Sequence, residues 1–159
     1  MLPLNAKVKA LAHDGRFAQI APDGYVFAGH LAPLQQHASD WVAVAERFRG
    51  VPYVWGGKTV TGVDCSGLIQ TALEAGGVSS PRDADMQELA LGRAIAIPPD
   101  LSGLARGDLV FWRDHVGVML DDTRILHANA FYMEAAVEPL ADAVRRIANR
   151  GPITSIKRL

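Results

Sequence analysis

Tyr53-Val54-Trp55-Gly56-Gly57 and, after residues 58–62, Val63-Asp64-Cys65-Ser66-Gly67-Leu68 are the stretch whose reading decides the fold. Beyond it Leu68, Ile69, Ala72 and Leu73 recur at helical spacing, so Cys65 opens an amphipathic helix that Gly76-Gly77 ends. Asp64 stands at the capping position, where a short carboxylate accepts from backbone N–H groups that lack a partner inside the helix. The only cysteine of the chain therefore falls at the positive end of a helix dipole, a place that favours thiolate. Its ordinary alternative is a small buried hydrophobe. The neighbours Asp64, Ser66 and Gly67 are polar and small, which argues for a reactive thiol.

Working outward, Ser39 reads as the N-cap of an earlier helix carrying Trp41, Val44, Ala45 and Phe48, stopped near Gly50 and Pro52. Ser80-Pro81 opens a third helix through Leu91. Strands follow at Ala94–Ile97, Asp108–Trp112, His115–Leu120, Arg124–His127, Tyr132–Val137 and Ile153–Lys157, interrupted by a helix that Pro139 opens. Helices first and strands afterwards predict an α+β domain over residues 36–159, its N-terminal helices packed on one face of a central antiparallel sheet. Residues 1–35 differ. They hold short strands punctuated by His13-Asp14-Gly15 and Pro22-Asp23-Gly24, a β segment too small to bury both faces. It must pack on the main domain, pair with another chain, or belong to a larger module.

Composition narrows the function classes. Of 159 residues 49% are hydrophobic and 21% charged, with a net charge of −1, which gives no reason to expect a nucleic-acid partner. No apolar run reaches membrane-spanning length. The start, Met1-Leu-Pro-Leu-Asn-Ala-Lys7, carries no basic leader followed by an apolar core, and a single cysteine suits a reducing compartment. Those features predict a cytoplasmic protein if the chain is complete, and leave the cell envelope open if it is part of a longer one.

Thiol chemistry needs a proton carrier and a group that orients it. His115 opens a strand in which Val116 and Val118 face the core, so its ring lies on the other face, beside Gly117. His127 lies on the next strand, directly opposite His115 if the turn is three residues centred on Asp121; a one-residue slip would separate the rings. In that register His127 holds Nδ1 of His115 and leaves the other nitrogen for the thiol. Each histidine alone would read as a surface or structural residue. Zinc could also use Cys65, His115 and His127. No close-spaced ligand pair and no fourth ligand accompany them, which ranks zinc well below thiol catalysis.

The ordered set Pro52-Tyr-Val-Trp-Gly-Gly57, Asp64-Cys-Ser-Gly-Leu68, Arg106-Gly-Asp-Leu-Val-Phe-Trp112, His115-Val-Gly-Val118 and Leu126-His-Ala128 resembles the NlpC-type cell-wall cysteine peptidases, over residues 39–159. The resemblance implies a papain-like fold with Cys65 as nucleophile, His115 as base and acid, and His127 orienting it. It also implies Tyr53 at the oxyanion site, and Asp64 and Ser66 lining substrate subsites. The implied reaction is hydrolysis of the γ-D-glutamyl–diamino acid bond of peptidoglycan stem peptides, with no cofactor. An amidase or acyltransferase on the same scaffold, or a non-catalytic cell-wall binding module, are the alternatives. Residues 13–31 resemble the closing strands of a bacterial SH3-like domain, about half of that module, through which chains could self-associate.

Overall fold

The computed structural model describes residues 2–159. Strands β1 (Ala10–Asp14), β2 (Phe17–Ile20) and β3 (Tyr25–Phe27) form a separate antiparallel sheet in the order β1-β2-β3. Gly15 takes φ +57° between the first two, the left-handed conformation a tight turn requires. Ala18 alone among these strands is buried, while Leu11, Phe17 and Tyr25 stay exposed. The segment leans on the main domain instead of forming its own core. Asn5 donates from Nδ2 to the Thr71 carbonyl at 2.9 Å, and a groove of about 1130 Å³ runs between residues 4–8 and 30–38 on one side and Val44, Arg47 and Glu74 on the other.

Helix α1 (Trp41–Glu46) is capped by Asp40, whose carboxylate accepts from the Ala43 N–H at 3.0 Å. The expected cap, Ser39, lies one residue too early. The helix also ends sooner than its apolar spacing suggests. Arg47 and Phe48 donate to Val44 and Ala45, so the last turn tightens to i→i−3 bonds while Phe48 still enters the core at 2% exposure. A short hairpin, β4 (Lys58–Thr59) and β5 (Gly62–Val63), leads into α2 (Cys65–Ala75), which is buried from Cys65 through Leu73. Helix α3 (Ala84–Ala90) begins three residues after Pro81. Its predicted first turn is absent, and those carbonyls accept from side chains instead: Gln70 donates to Ser80, and Gln87 to Pro81.

Strands β6 (Arg93–Ile95), β7 (Leu109–Trp112), β8 (His115–Met119), β9 (Arg124–Asn129) and β10 (Glu134–Pro139) are followed by α4 (Leu140–Ile147) and β11 (Ser155–Arg158). The six strands pair antiparallel in the order β10-β9-β8-β7-β11-β6. Alternation along each strand splits the apolar side chains between two cores. Leu109, Phe111, Val116, Val118, Leu126 and Ala128 pack with Leu68, Ile69 and Leu73 of α2. Val110, Trp112, Met119, Ile125 and Ile156 pack with Leu140, Ala143 and Ile147 of α4. The N-terminal helices thus share one face, as predicted, but α4 covers the other. Each fully buried Leu, Ile or Phe contributes about 1.5–3 kcal/mol, so both faces of the sheet are held by apolar burial.

Candidate active site

The first half of the site is built on the start of α2. Asp64 takes an extended conformation (φ −104°, ψ 178°), and its Oδ1 accepts from the Gly67 N–H at 2.7 Å. Its Oδ2 accepts from the Gly56 N–H at 2.7 Å, which ties the Tyr53–Gly57 loop to the helix start. Arg82 closes a fork on the same carboxylate, Nη1 to Oδ1 at 3.0 Å and Nη2 to Oδ2 at 2.6 Å. The Ser66 hydroxyl accepts from Arg82 Nη1 at 2.9 Å. Glycine is required where loop meets helix: a Cβ on Gly67 would stand 2.2 Å from the Gly57 carbonyl oxygen. Asp64 and Ser66, expected to line a substrate subsite, are 7% and 5% exposed and already engaged by these donors. Their geometry is that of groups that fix the thiol and its loop.

Cys65 is 8% exposed and lies beside the Val116 backbone, one residue after His115. Burial pushes its thiol above the usual range, and the Asp64 charge adds to this, against the lowering effect of the Val116 and Ser66 N–H groups. These shifts favour the neutral thiol, whereas the place of Cys65 at the helix start by itself predicts thiolate. Tyr53 is half-buried on the same side. Burial raises the pKa of its hydroxyl, negative charge at the neighbouring Cys65–Asp64 corner acts in the same direction, and Arg150 opposes it.

The second half lies on the sheet. In the β8–β9 hairpin Val118 pairs with Leu126 and Met119 with Ile125, so His127 stands across from Gly117 and His115 is its diagonal neighbour. The predicted direct opposition is off by two residues, which keeps both rings on one face. That face carries Met119 and Ile125, the side of α4 rather than of α2. His115 is the first residue of its strand, next to the Val116 backbone that lies beside Cys65. Its Nε2, not the expected Nδ1, meets His127 Nδ1 at 2.8 Å, which leaves Nδ1 outside that contact. Gly117 makes room for this contact: a Cβ there would stand 2.6 Å from Ile125 and 3.0 Å from His127. Trp112 flanks His115 with ring centroids 5.7 Å apart. Burial lowers the His115 pKa to about 3, and the closeness of the His127 ring, Arg146 and Arg150 acts in the same direction.

Behind His127 lies a residue that the sequence reading missed. Glu138 of β10 meets His127 Nε2 at 2.7 Å through Oε1, and its Oε2 accepts from the Tyr132 hydroxyl at 3.2 Å. Arg146 of α4 pairs with the same carboxylate and lies over the rings of Phe131 and Tyr132, 4.6 and 5.5 Å from their centroids. Arg82 was missed as well. The available signal for Glu138 was a carboxylate in the otherwise apolar run Ala135-Ala136-Val137 on the strand next to His127. Nothing in the spacing of the chain points to Arg82. Among the described residues, no group of three or more His, Cys, Asp or Glu side chains is arranged to hold a metal ion.

The family model described as "NlpC/P60 family" matches residues 50–146. The γ-D-glutamyl-L-lysine dipeptidyl-peptidase of Bacillus subtilis (strain 168) is 31% identical over 141 residues, covering 80% of this chain and 44% of that protein. The peptidoglycan hydrolase RipB of Mycobacterium tuberculosis superposes with a TM-score of 0.58 at 29% identity, over 74% of this chain and 62% of that one. An NlpC/P60 family protein from Bacillus cereus ATCC 10987 superposes over 99% of this chain and 55% of its own, with a TM-score of 0.78 at 22% identity, a likeness of fold. The chain spans less than half the length of the curated relatives it matches.

Proposed function

The chain belongs to the NlpC/P60 family, and from that premise we propose that it is a cysteine peptidase of peptidoglycan stem peptides, cutting the γ-D-glutamyl–diamino acid bond. The observation that carries the reading is the His115–His127 hydrogen bond of 2.8 Å beside a thiol borne on a helix start. The name of the Bacillus subtilis relative supports the choice of bond. Residues 1–35 are read as part of an SH3-like module and 36–159 as the peptidase domain, with three antiparallel strands ahead of the catalytic fold in support.

The Cys65 proton passes to His115 as sulfur attacks the γ-carbonyl carbon. The oxyanion takes hydrogen bonds from the Cys65 N–H and the Tyr53 hydroxyl. Collapse breaks the C–N bond, and the amine leaves with the proton from His115. Water then attacks the thioester, gives a proton to His115, and the sulfur recovers it on release of the acid. The raised thiol and lowered imidazole favour a neutral pair before substrate arrives.

The test is mass spectrometry of products from L-Ala-γ-D-Glu-diaminopimelate peptides, with free and blocked N-termini, using wild-type and Cys65→Ala protein. Masses of L-Ala-γ-D-Glu and the diaminopimelyl fragment from wild type alone are expected. Removal of the acyl group that blocks the N-terminus instead would identify an amidase, and turnover by the alanine variant would sink the thiol mechanism. Cleavage of the free form alone would point to recycled peptides, and of both forms to wall remodelling.

A further inference from the structure

We propose that Glu138 is a positioning residue for this reaction: through His127 it sets which nitrogen of His115 is bare and so able to take the thiol proton. The inference rests on the peptidase reading above, and its geometry is independent of which bond is cut. His127 is fully buried, and each of its ring nitrogens has one partner. An ionised carboxylate can only accept, so Nε2 of His127 carries the proton and donates it to Glu138. A neutral His127 then has a bare Nδ1, which accepts from His115 Nε2–H at 2.8 Å. A neutral His115 protonated on Nε2 has a bare Nδ1, the nitrogen not engaged by His127. One carboxylate thereby fixes two tautomers in series.

Glu138 stays ionised in this setting. Burial by itself raises its pKa, but the His127 hydrogen bond and the Arg146 charge outweigh it, and the carboxyl lies below its usual range. The pair is built from three elements: β9 supplies His127, β10 supplies Glu138, and α4 supplies Arg146. The charged and titratable groups around the two rings are Glu138, Arg146 and Tyr132, with Arg150 adding its field at His115. Ala136 stands directly across from His127 and leaves the diagonal path to Glu138 open. When the Cys65 proton moves to His115 Nδ1, the protons on His115 Nε2 and His127 Nε2 stay where they are. Glu138 remains a carboxylate throughout.

The experiment is long-range ¹H–¹⁵N correlation of the histidine rings in the full chain near pH 7.5, paired with kinetics on the tripeptide L-Ala-γ-D-Glu-diaminopimelate. In wild type, His127 Nε2 and His115 Nε2 should appear protonated and both Nδ1 atoms bare. Glu138→Gln keeps one acceptor oxygen, so the tautomers should persist while kcat falls about tenfold with the loss of charge. Glu138→Leu removes the acceptor, so at least one ring should change tautomer and kcat should fall about 100-fold or more, with KM little changed. A proton on His127 Nδ1 in wild type would overturn the inference. So would wild-type ring shifts and kcat in a folded Glu138→Leu protein. If the leucine variant does not fold, the wild-type spectrum and the glutamine variant decide. The spectra are recorded without substrate, so a wrong tautomer assignment and a wrong substrate class give different results.

Discussion

Two buried carboxylate–arginine pairs lie on opposite sides of the sheet, and they do different work with the same chemistry. Asp64–Arg82 sits under the thiol, Glu138–Arg146 behind the histidines, and the carboxylates are 9% and 5% exposed. Asp64 gives its remaining lone pairs to the backbone N–H groups of Gly56 and Gly67, so its charge is absorbed in holding a loop against a helix. Glu138 gives its to the His127 ring and the Tyr132 hydroxyl, groups whose protons can move. Each carboxylate faces an arginine. What differs is whether the third partner is fixed or titratable. The first arrangement serves architecture, and the second bears on reactivity.

Changes that touch each pair and its dependants should separate these roles. The largest effect is Cys65→Ala, expected to abolish turnover in the product assay while leaving the melting temperature near wild type. Arg146→Met comes next. Without the arginine, Glu138 loses a charge that lowers its pKa, so its carboxylate, and with it the hydrogen bond it accepts from His127, should be lost at a higher pH than in wild type. Activity at pH 7 should fall about tenfold, and the acid limb of the pH–rate profile should move upward. Arg82→Met should leave the shape of the pH–rate profile unchanged. It should cost about 2–4 kcal/mol of stability, since breaking one side of a buried pair leaves the other charge uncompensated; thermal or urea unfolding measures this. A wild-type melting temperature in Arg82→Met, or an unchanged pH profile in Arg146→Met, would erase the distinction.

Smaller effects follow from protonation at the site. The folded pKa of His115 is about 3, below its unfolded value of 6.5, so the unfolded chain binds more protons between those limits. Stability should therefore decline as pH falls from 6.5 toward 3, and His115→Gln should flatten that slope in a pH series of melting curves. The same shift keeps the base available in acid, so kcat/KM should hold between pH 7 and 5. Alkylation of Cys65 by iodoacetamide in the free protein should be slow at pH 7 and rise only above the ordinary thiol range. Fast labelling at neutral pH would mean that the resting pair is already ionised.

Much of this was written locally in the chain. Asp64 and Cys65 are legible because N-cap chemistry acts over three residues, and the structure keeps that cap. The histidine hairpin was legible to its face but not to its register. Asp121 organises the turn by accepting from the Thr123 and Arg124 N–H groups, which moves its centre to Asp122. Moving a turn centre by one residue shifts the pairing by two, and two is the period that preserves the face. The late start of α3 and the partners Arg82, Glu138 and Arg146 were not legible. Each depends on side chains that meet across distant segments, and spacing along the chain carries no record of such meetings. The second core under α4 belongs with them, since alternation marks two apolar faces without saying which helix covers which.

The place of α4 has a consequence for how the protein comes into being. During synthesis Cys65 emerges first, then His115 and His127, and Arg146 after all of them. Until α4 docks beneath the sheet, Glu138 lacks the counter-ion that favours its ionised form. If the three residues act as proposed, a polypeptide that displays them before α4 has docked should turn over more slowly than the folded protein.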